Sequence, residues 1–164
     1  MTSESKIRSV AIIGAGPAGA SCAAYLAREG VDVTLFARPK RPDVLVGESL
    51  VPAVIPFLRE LGIEEEVASY SIHKPGATFV LDPESRIRFT FSEVRGGKLD
   101  YAYNTPRDRF DRSILDAALR SGVRFIEEAA RVERVGETDR VQLSAESLER
   151  MGGERPDFII DATG

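Results

Sequence analysis

The sequence predicts an α/β fold with a parallel sheet and an additional antiparallel β segment. Two observations carry this prediction. The apolar run over residues 7–13 ends in the pattern Gly14-x-Gly16-x-x-Gly19 and is followed at once by a helix-forming stretch, the order of a Rossmann-type unit. Between residues 77 and 104, apolar and polar side chains alternate with a period of two, which favours strands separated by turns.

Each element follows from local chemistry. Residues 7–13 and 31–36 are predicted as buried parallel strands on either side of a helix at 17–29 that Gly30 ends. Two prolines and a charge run predict a loop at 38–48. The remaining predictions are helices at 52–61 and 108–121, and strands at 77–81, 86–91, 100–104, 123–127, 131–136, 140–145 and 158–160.

The glycine pattern carries a chemical prediction. Gly14 permits a tight turn, Gly16 lets the backbone approach phosphates, and Gly19 lets the helix pack closely on the strand. The first helical turn, which contains Pro17 and Ala18, offers backbone N–H groups and the positive end of the helix dipole to an anion. The pattern therefore predicts a site for the pyrophosphate of a dinucleotide.

Bulk properties exclude several classes of partner. A length of 164 residues favours one domain, and a net charge of -4 with a pI near 5.2 argues against nucleic-acid and anionic-membrane partners. Cys22 is the one cysteine, so no internal disulfide forms, and a cytoplasmic location is expected. No segment has the length of a membrane span, and His73 lacks His or Cys neighbours for a metal site.

The end of the second strand departs from the usual dinucleotide pattern. Such folds carry Asp or Glu there to bind the ribose hydroxyls, roughly 20 residues past the glycines. This chain has Ala37 followed by Arg38, and Asp32 lies at the opposite end of the strand. Either the nucleotide is bound more weakly or another residue holds the ribose. Because an arginine here can also bind a 2′-phosphate, NADPH is a competing ligand.

Several segments together resemble the FAD-dependent monooxygenase superfamily with the p-hydroxybenzoate hydroxylase type of FAD domain, and within it the flavin-dependent halogenases. The segments are Gly14–Gly19, Val46-Gly-Glu-Ser-Leu-Val-Pro52, Lys74-Pro-Gly-Ala-Thr-Phe79, Tyr101-x-Tyr103-x-x-x-Arg107-x-x-Phe110-Asp111 and Asp161-Ala-Thr-Gly164. The resemblance implies FAD as the cofactor. It also leads us to expect a single FAD-binding domain over residues 1–164, the N-terminal portion of a longer protein and one that need not be active alone.

The resemblance implies roles for residues outside the glycine pattern. Gly47, Glu48 and Ser49 would lie beside the pyrophosphate and flavin, and Arg107 near the FAD. The alternatives are that Ser49 caps the following helix with Glu48 solvated, and that Arg107 is a surface charge. Asp161 and Gly164 stand where a second backbone approach to the nucleotide is expected.

Lys74 stands where halogenases of this kind place a catalytic lysine. There, reduced FAD and oxygen give a flavin hydroperoxide, a halide ion attacks it, and the lysine directs the resulting hypohalous acid to an aromatic, phenol- or pyrrole-like substrate. The lysine acts as an ammonium donor or as a haloamine. The alternative interpretation is an exposed loop lysine.

The resemblance also implies a partner, a separate flavin reductase that supplies reduced FAD. Two other functions stay open at this point. The first is an aromatic hydroxylase whose bound flavin is reduced by NADPH, and the second is a fragment that binds a nucleotide without catalysis.

Overall fold

The computed structural model describes residues 7–39, 46–94, 96 and 99–164, so part of the predicted loop at 38–48 lies outside the described residues. Short 3-10 turns lie at Pro52–Val54 and Phe91–Glu93. In chain order the strands and helices are β1 (Ser9–Ile13), α1 (Pro17–Arg28), β2 (Asp32–Phe36), α2 (Ile55–Leu61), α3 (Glu64–Tyr70), β3 (Ile72–Lys74), β4 (Gly76–Val80), β5 (Arg86–Thr90), β6 (Ala102–Asn104), α4 (Arg107–Arg120), β7 (Arg124–Ile126), β8 (Val132–Arg134), β9 (Val141–Leu143), α5 (Ala145–Met151) and β10 (Phe158–Asp161).

These elements form two compact units. The first takes the described residues before position 44 and those from Ile114 onward, and the second takes the described residues from 46 to 113. The boundary falls within the sequence of α4. The assignment of residues 1–164 to one FAD-binding domain stays a prediction.

The first unit is built on a parallel sheet of order β10-β1-β2-β7. Because α1 turns small residues (Gly19, Ala20, Ala23 and Ala24) inward, it packs closely and buries β1 and β2. A second cluster centres on Ala11, Phe36 and Leu143, with side chains of β7, β10 and α5 against it. The predicted parallel sheet is confirmed.

The second unit contains the predicted antiparallel segment. β3 pairs with β6 in the register His73↔Tyr103, and β4 pairs with β5 in the register Gly76↔Thr90. Buried side chains of α2 and α3, among them Ile55, Leu58 and Val67, supply apolar packing.

Three elements were not predicted. β3 has only three residues, of which Ile72 and His73 are exposed, so it shows no clear alternation. α3 spans seven residues and α5 another seven, too few for a strong helical period. The strand predicted at 140–145 ends earlier, at Leu143, because Ser144 caps α5 through a 3.3 Å bond from the Ser147 N–H.

Helix boundaries also shift slightly. The predicted helix at 52–61 begins as the 3-10 turn and becomes α-helical at Ile55, and α4 begins one residue before the predicted Asp108. Among the described helices, none combines the length and apolar character that crossing a bilayer requires.

Candidate functional site

The turn after β1 in the first unit depends on Gly14. Its φ of +110° lies in the region that side chains disfavour. Its N–H donates to the Phe36 carbonyl at 2.8 Å, which ties the turn to the end of β2. A Cβ here would lie 2.5 Å from the Ala162 carbonyl oxygen, so the position accepts only glycine.

Gly19 and Gly16 have opposite surroundings. A Cβ on Gly19 would lie 1.8 Å from the Gly14 carbonyl oxygen and 3.1 Å from the Ala162 Cβ. A Cβ on Gly16 would meet no described atom within 4 Å, and the backbone of Gly16 is extended. Protein atoms therefore fill the space beside Gly14 and Gly19, whereas the space beside Gly16 is open for a ligand.

The N-terminus of α1 borders this open space. Gly16 is the N-cap and, within the described part of the chain, makes no side-chain capping bond, while Pro17 has no N–H to satisfy. The backbone N–H of Ala20 is the first to bond within the helix, to the Gly16 carbonyl at 2.9 Å. The preceding N–H groups of Ala18 and Gly19 belong to the turn that a phosphate can bridge. This cradle fits the pyrophosphate of a dinucleotide.

The segment after β10 closes over the glycine turn. The Ala162 N–H donates to the Ile13 carbonyl at 2.8 Å, which continues the β1–β10 pairing. The pKa of the Asp161 carboxyl is lowered because the Thr163 hydroxyl (2.7 Å) and the Thr163 backbone N–H (3.0 Å) both donate to it. Gly164 has a φ of +84°. The structure thus places the predicted Asp161–Gly164 segment beside Gly14.

The end of β2 lacks an acid, as the sequence indicates. Ala37 follows Phe36 and its N–H donates to the Ile126 carbonyl at 3.1 Å, while the next residue, Arg38, is exposed. Asp32 begins β2 and so lies at the other end of the strand.

In the second unit, the segment around Ser49 runs beside β6. Thr105 donates its N–H to the Glu48 carbonyl at 2.8 Å, and Ser49 forms a β-bridge with Asn104. The helical turn that follows starts from Val51 and has no side-chain cap bond among the described residues. The alternative that Ser49 caps this helix is therefore wrong, because a long-range strand contact holds the segment. Glu48 itself is exposed.

Arg107 lies against the same segment. Its side chain is 19% exposed and bonds the buried Asp111 carboxylate from Nε at 2.9 Å and from Nη2 at 3.3 Å. Nη1 donates to the Val46 carbonyl, and a Cβ on Gly47, whose φ is +90°, would lie 3.0 Å from Nη1. The structure brings Gly47 and Arg107 together and contradicts the alternative of a surface charge. Sequence reasoning gave Asp111 no role, although its i,i+4 spacing from Arg107 was a signal.

Lys74 is half-buried at the end of β3. Its Nζ donates to the Ser49 hydroxyl at 2.8 Å and to the Leu50 carbonyl at 2.9 Å, and lies 5.4 Å from the centroid of the Phe91 ring. The alternative of an exposed loop lysine is wrong. The structure instead pairs Lys74 with Ser49, two residues predicted for different roles.

A polar cavity of about 340 Å³ lies between α3 and α4 and contains none of the predicted site residues. A hydrogen-bond chain from Tyr70 through Ser113 to Glu66 forms part of its lining. The pKa of the Tyr70 hydroxyl is raised, mainly because the group is partly buried.

The model of the FAD binding domain family matches residues 8–164. The chain is 37% identical over 127 residues to the flavin-dependent halogenase armH3 of Armillaria mellea. This alignment covers 77% of this chain and 25% of that protein. It is 31% identical to a tryptophan 2-halogenase of Chondromyces crocatus, covering 94% of this chain and 30% of that protein.

A solved structure is similar to this chain as well. The crystal structure of CmlS, a flavin-dependent halogenase, superposes with a TM-score of 0.74 at 34% identity, covering 98% of this chain and 30% of that one. The chain thus spans less than a third of the length of each of these three proteins.

Proposed function

Because this chain belongs to the FAD binding domain family, we propose that it is the FAD-binding part of a flavin-dependent halogenase. The observation that carries the proposal is the cradle around Gly16. Two glycines there are closed in by protein atoms, while a Cβ on Gly16 would meet no described atom within 4 Å. A pyrophosphate fits such an opening at a helix N-terminus.

Each predicted site residue has a proposed role toward FAD. In the first unit, Gly14–Gly19 hold the pyrophosphate, the Asp161–Gly164 segment makes the second backbone approach, and Arg38 lies at the end of the strand that meets the ribose. In the second unit, Gly47–Ser49 and Arg107 belong to the part that faces FAD, with Asp111 fixing the guanidinium. With oxygen, reduced FAD supplies the oxidising equivalent that turns a halide ion into hypohalous acid.

Lys74 is proposed as the catalytic residue. A lysine ammonium has three donors, and two of them go to Ser49 and Leu50. We assign the third to the hypohalous acid, which Lys74 then directs to a carbon of an aromatic, phenol- or pyrrole-like substrate. A separate flavin reductase supplies the reduced FAD. The similarity of the chain to flavin-dependent halogenases supports halogenation as the class of reaction.

The first experiment measures flavin retention. The purified chain is mixed with FAD and desalted, and its visible spectrum is recorded. We expect a retained band at about 450 nm, which belongs to oxidised flavin itself. Loss of all flavin, together with thermal stabilisation by NADPH, would contradict the proposal and favour a nucleotide-binding fragment.

The second experiment tests Lys74 in the full-length enzyme. The Lys74→Ala variant should lose halogenation and still oxidise reduced FAD, because the residue acts after the flavin has reacted with oxygen. Halide-dependent product formation and flavin reoxidation are measured separately. A variant that hydroxylates the substrate at the wild-type rate without halide would indicate the aromatic hydroxylase alternative. A variant that halogenates at the wild-type rate would show that Lys74 is not the catalytic residue.

A further inference from the structure

The end of β2 lacks the acidic residue that usually binds the ribose of a dinucleotide. Ala37 stands where an acid is expected to accept bonds from the ribose hydroxyls, and a methyl group cannot accept a hydrogen bond. The exposed Arg38 beside it would favour a 2′-phosphate. Nevertheless, the family of the chain binds FAD, whose adenosine ribose carries two hydroxyls.

We propose that Glu127, on the neighbouring strand, takes the place of the missing acid. This inference rests on the proposed FAD site. β2 and β7 are parallel, with Phe36 paired to Ile126, and the Ala37 N–H continues the ladder to the Ile126 carbonyl at 3.1 Å. Glu127 is the next residue and therefore lies beside Ala37, at the edge of the sheet where the carboxyl ends of the strands meet the ligand.

The distance between β2 and β7 allows Glu127 to replace an acid at position 37. Neighbouring strands lie about 4.8 Å apart. A glutamate side chain extends roughly 4 to 5 Å beyond its Cα, as its C–C bond lengths dictate. A carboxylate that starts on β7 therefore reaches the space that a short acid on β2 would otherwise occupy.

The neighbouring acid, Glu128, has a different position. Its carboxylate pairs with Arg150 Nε at 3.1 Å, which ties it to α5. Glu127 is exposed. This difference separates two adjacent residues of the same type and makes Glu128 a matched control.

The charge of Glu127 also gives specificity. A carboxylate accepts bonds from both ribose hydroxyls and repels a 2′-phosphate. Glu127 thus offsets the attraction of Arg38 for a 2′-phosphate and favours FAD over NADPH.

The test measures the binding of ADP and 2′-deoxy-ADP by titration calorimetry to the wild-type chain and to the Glu127→Gln and Glu128→Gln variants. We expect the wild type to prefer ADP by about tenfold, the scale of a hydrogen bond to a charged group. Glu127→Gln should weaken ADP binding by a similar factor and bind both ligands equally. Glu128→Gln should behave as the wild type.

Two results would overturn the inference. Either Glu127→Gln keeps the wild-type preference for ADP, or Glu128→Gln is the variant that loses it. In both cases FAD retention by the wild type leaves the proposed function standing. If the wild type binds neither FAD nor ADP, the proposed function fails and this inference fails with it. Unfolding temperatures of the three proteins identify any loss of binding caused by misfolding.

Discussion

The glycines of the turn after β1 differ in what each is needed for, folding or ligand binding. Gly19 faces the Gly14 carbonyl oxygen, and Gly14 faces Ala162, so both glycines are required by contacts within the protein. Gly16 has no such neighbour among the described residues, so the lack of a side chain there leaves room for a ligand that approaches from outside. One short motif therefore holds two kinds of glycine, and they respond differently to the same substitution.

A matched pair of variants tests this difference. Gly19→Ala places a Cβ 1.8 Å from a backbone oxygen and should lower the free energy of unfolding by about 3 kcal/mol. Gly16→Ala should change it by less than about 0.5 kcal/mol and still weaken FAD binding by about tenfold or more, since the methyl group enters the ligand space. Denaturant unfolding and flavin titration measure the two effects. Unchanged FAD affinity in Gly16→Ala would mean that the pyrophosphate binds elsewhere.

Ser49 gives a second prediction at this scale. Its hydroxyl accepts a bond from Lys74 at 2.8 Å, so Ser49→Ala should leave the ammonium misplaced. In the full-length enzyme we expect halogenation per bound flavin to fall about ten- to hundredfold. Ser49→Thr, which keeps the hydroxyl, should recover most of the rate. If Ser49→Ala instead loses FAD and halogenates normally per bound flavin, the residue binds the cofactor and does not position Lys74.

At the scale of elements, one carboxylate fastens β10 to β1. Asp157 accepts the backbone N–H groups of Arg8 (2.8 Å) and Ser9 (3.1 Å), and its own N–H donates to the Ser9 carbonyl at 3.0 Å. The backbone N–H bonds from Arg8 and then Ser9 lower the pKa of Asp157. Because the folded state favours the charged form, this contribution to stability is present above the ordinary pKa of aspartate, about 3.9.

Asp157→Asn should therefore unfold at a lower temperature than the wild type at pH 7. The difference in unfolding temperature between the two proteins should narrow as the pH falls below about 4. The pH then approaches and passes the lowered pKa of the folded state, and the wild-type carboxyl becomes protonated. Melting curves of both proteins from pH 2 to pH 8 measure this. A difference in unfolding temperature that stays constant with pH would show that the stabilisation does not depend on the charge of the Asp157 carboxylate.

Local signals predicted the elements that local chemistry determines. The β1–α1–β2 unit and its glycine turn follow from residues within one short window, and the structure confirms the parallel sheet. α3 and α5 are too short to show a period. The contacts of Ser49 with Asn104 and Lys74 were not foreseen, because they join residues that are far apart in the chain. The register of β7 beside β2, which places Glu127 near Ala37, is a long-range pairing of the same kind.

For the whole molecule, ligand binding and stability are linked. A ligand that binds only the folded chain stabilises it by about 2.7 kcal/mol at a hundred times its Kd. For a chain of 164 residues, this corresponds to a rise in Tm of about 5 to 10 °C.

We therefore expect FAD to raise the Tm by this amount at a hundred times its Kd and NADPH to raise it less at equal concentration. Differential scanning fluorimetry read through tyrosine emission avoids interference from an added dye. The Gly16→Ala protein, which is expected to fold normally, is the control and should need more FAD for the same shift. A larger shift with NADPH than with FAD would reverse the proposed ligand preference.

The pairing of β1 with β10 has a consequence for biosynthesis. Arg8 and Asp157 are 149 residues apart, yet they meet at the edge of the sheet, and Ala162 then lies against Gly14. A nascent chain on the ribosome has made the glycine turn long before it makes the strand that closes over it. The cradle is therefore completed late, and until β10 emerges the open edge of β1 is exposed to aberrant pairing with other chains.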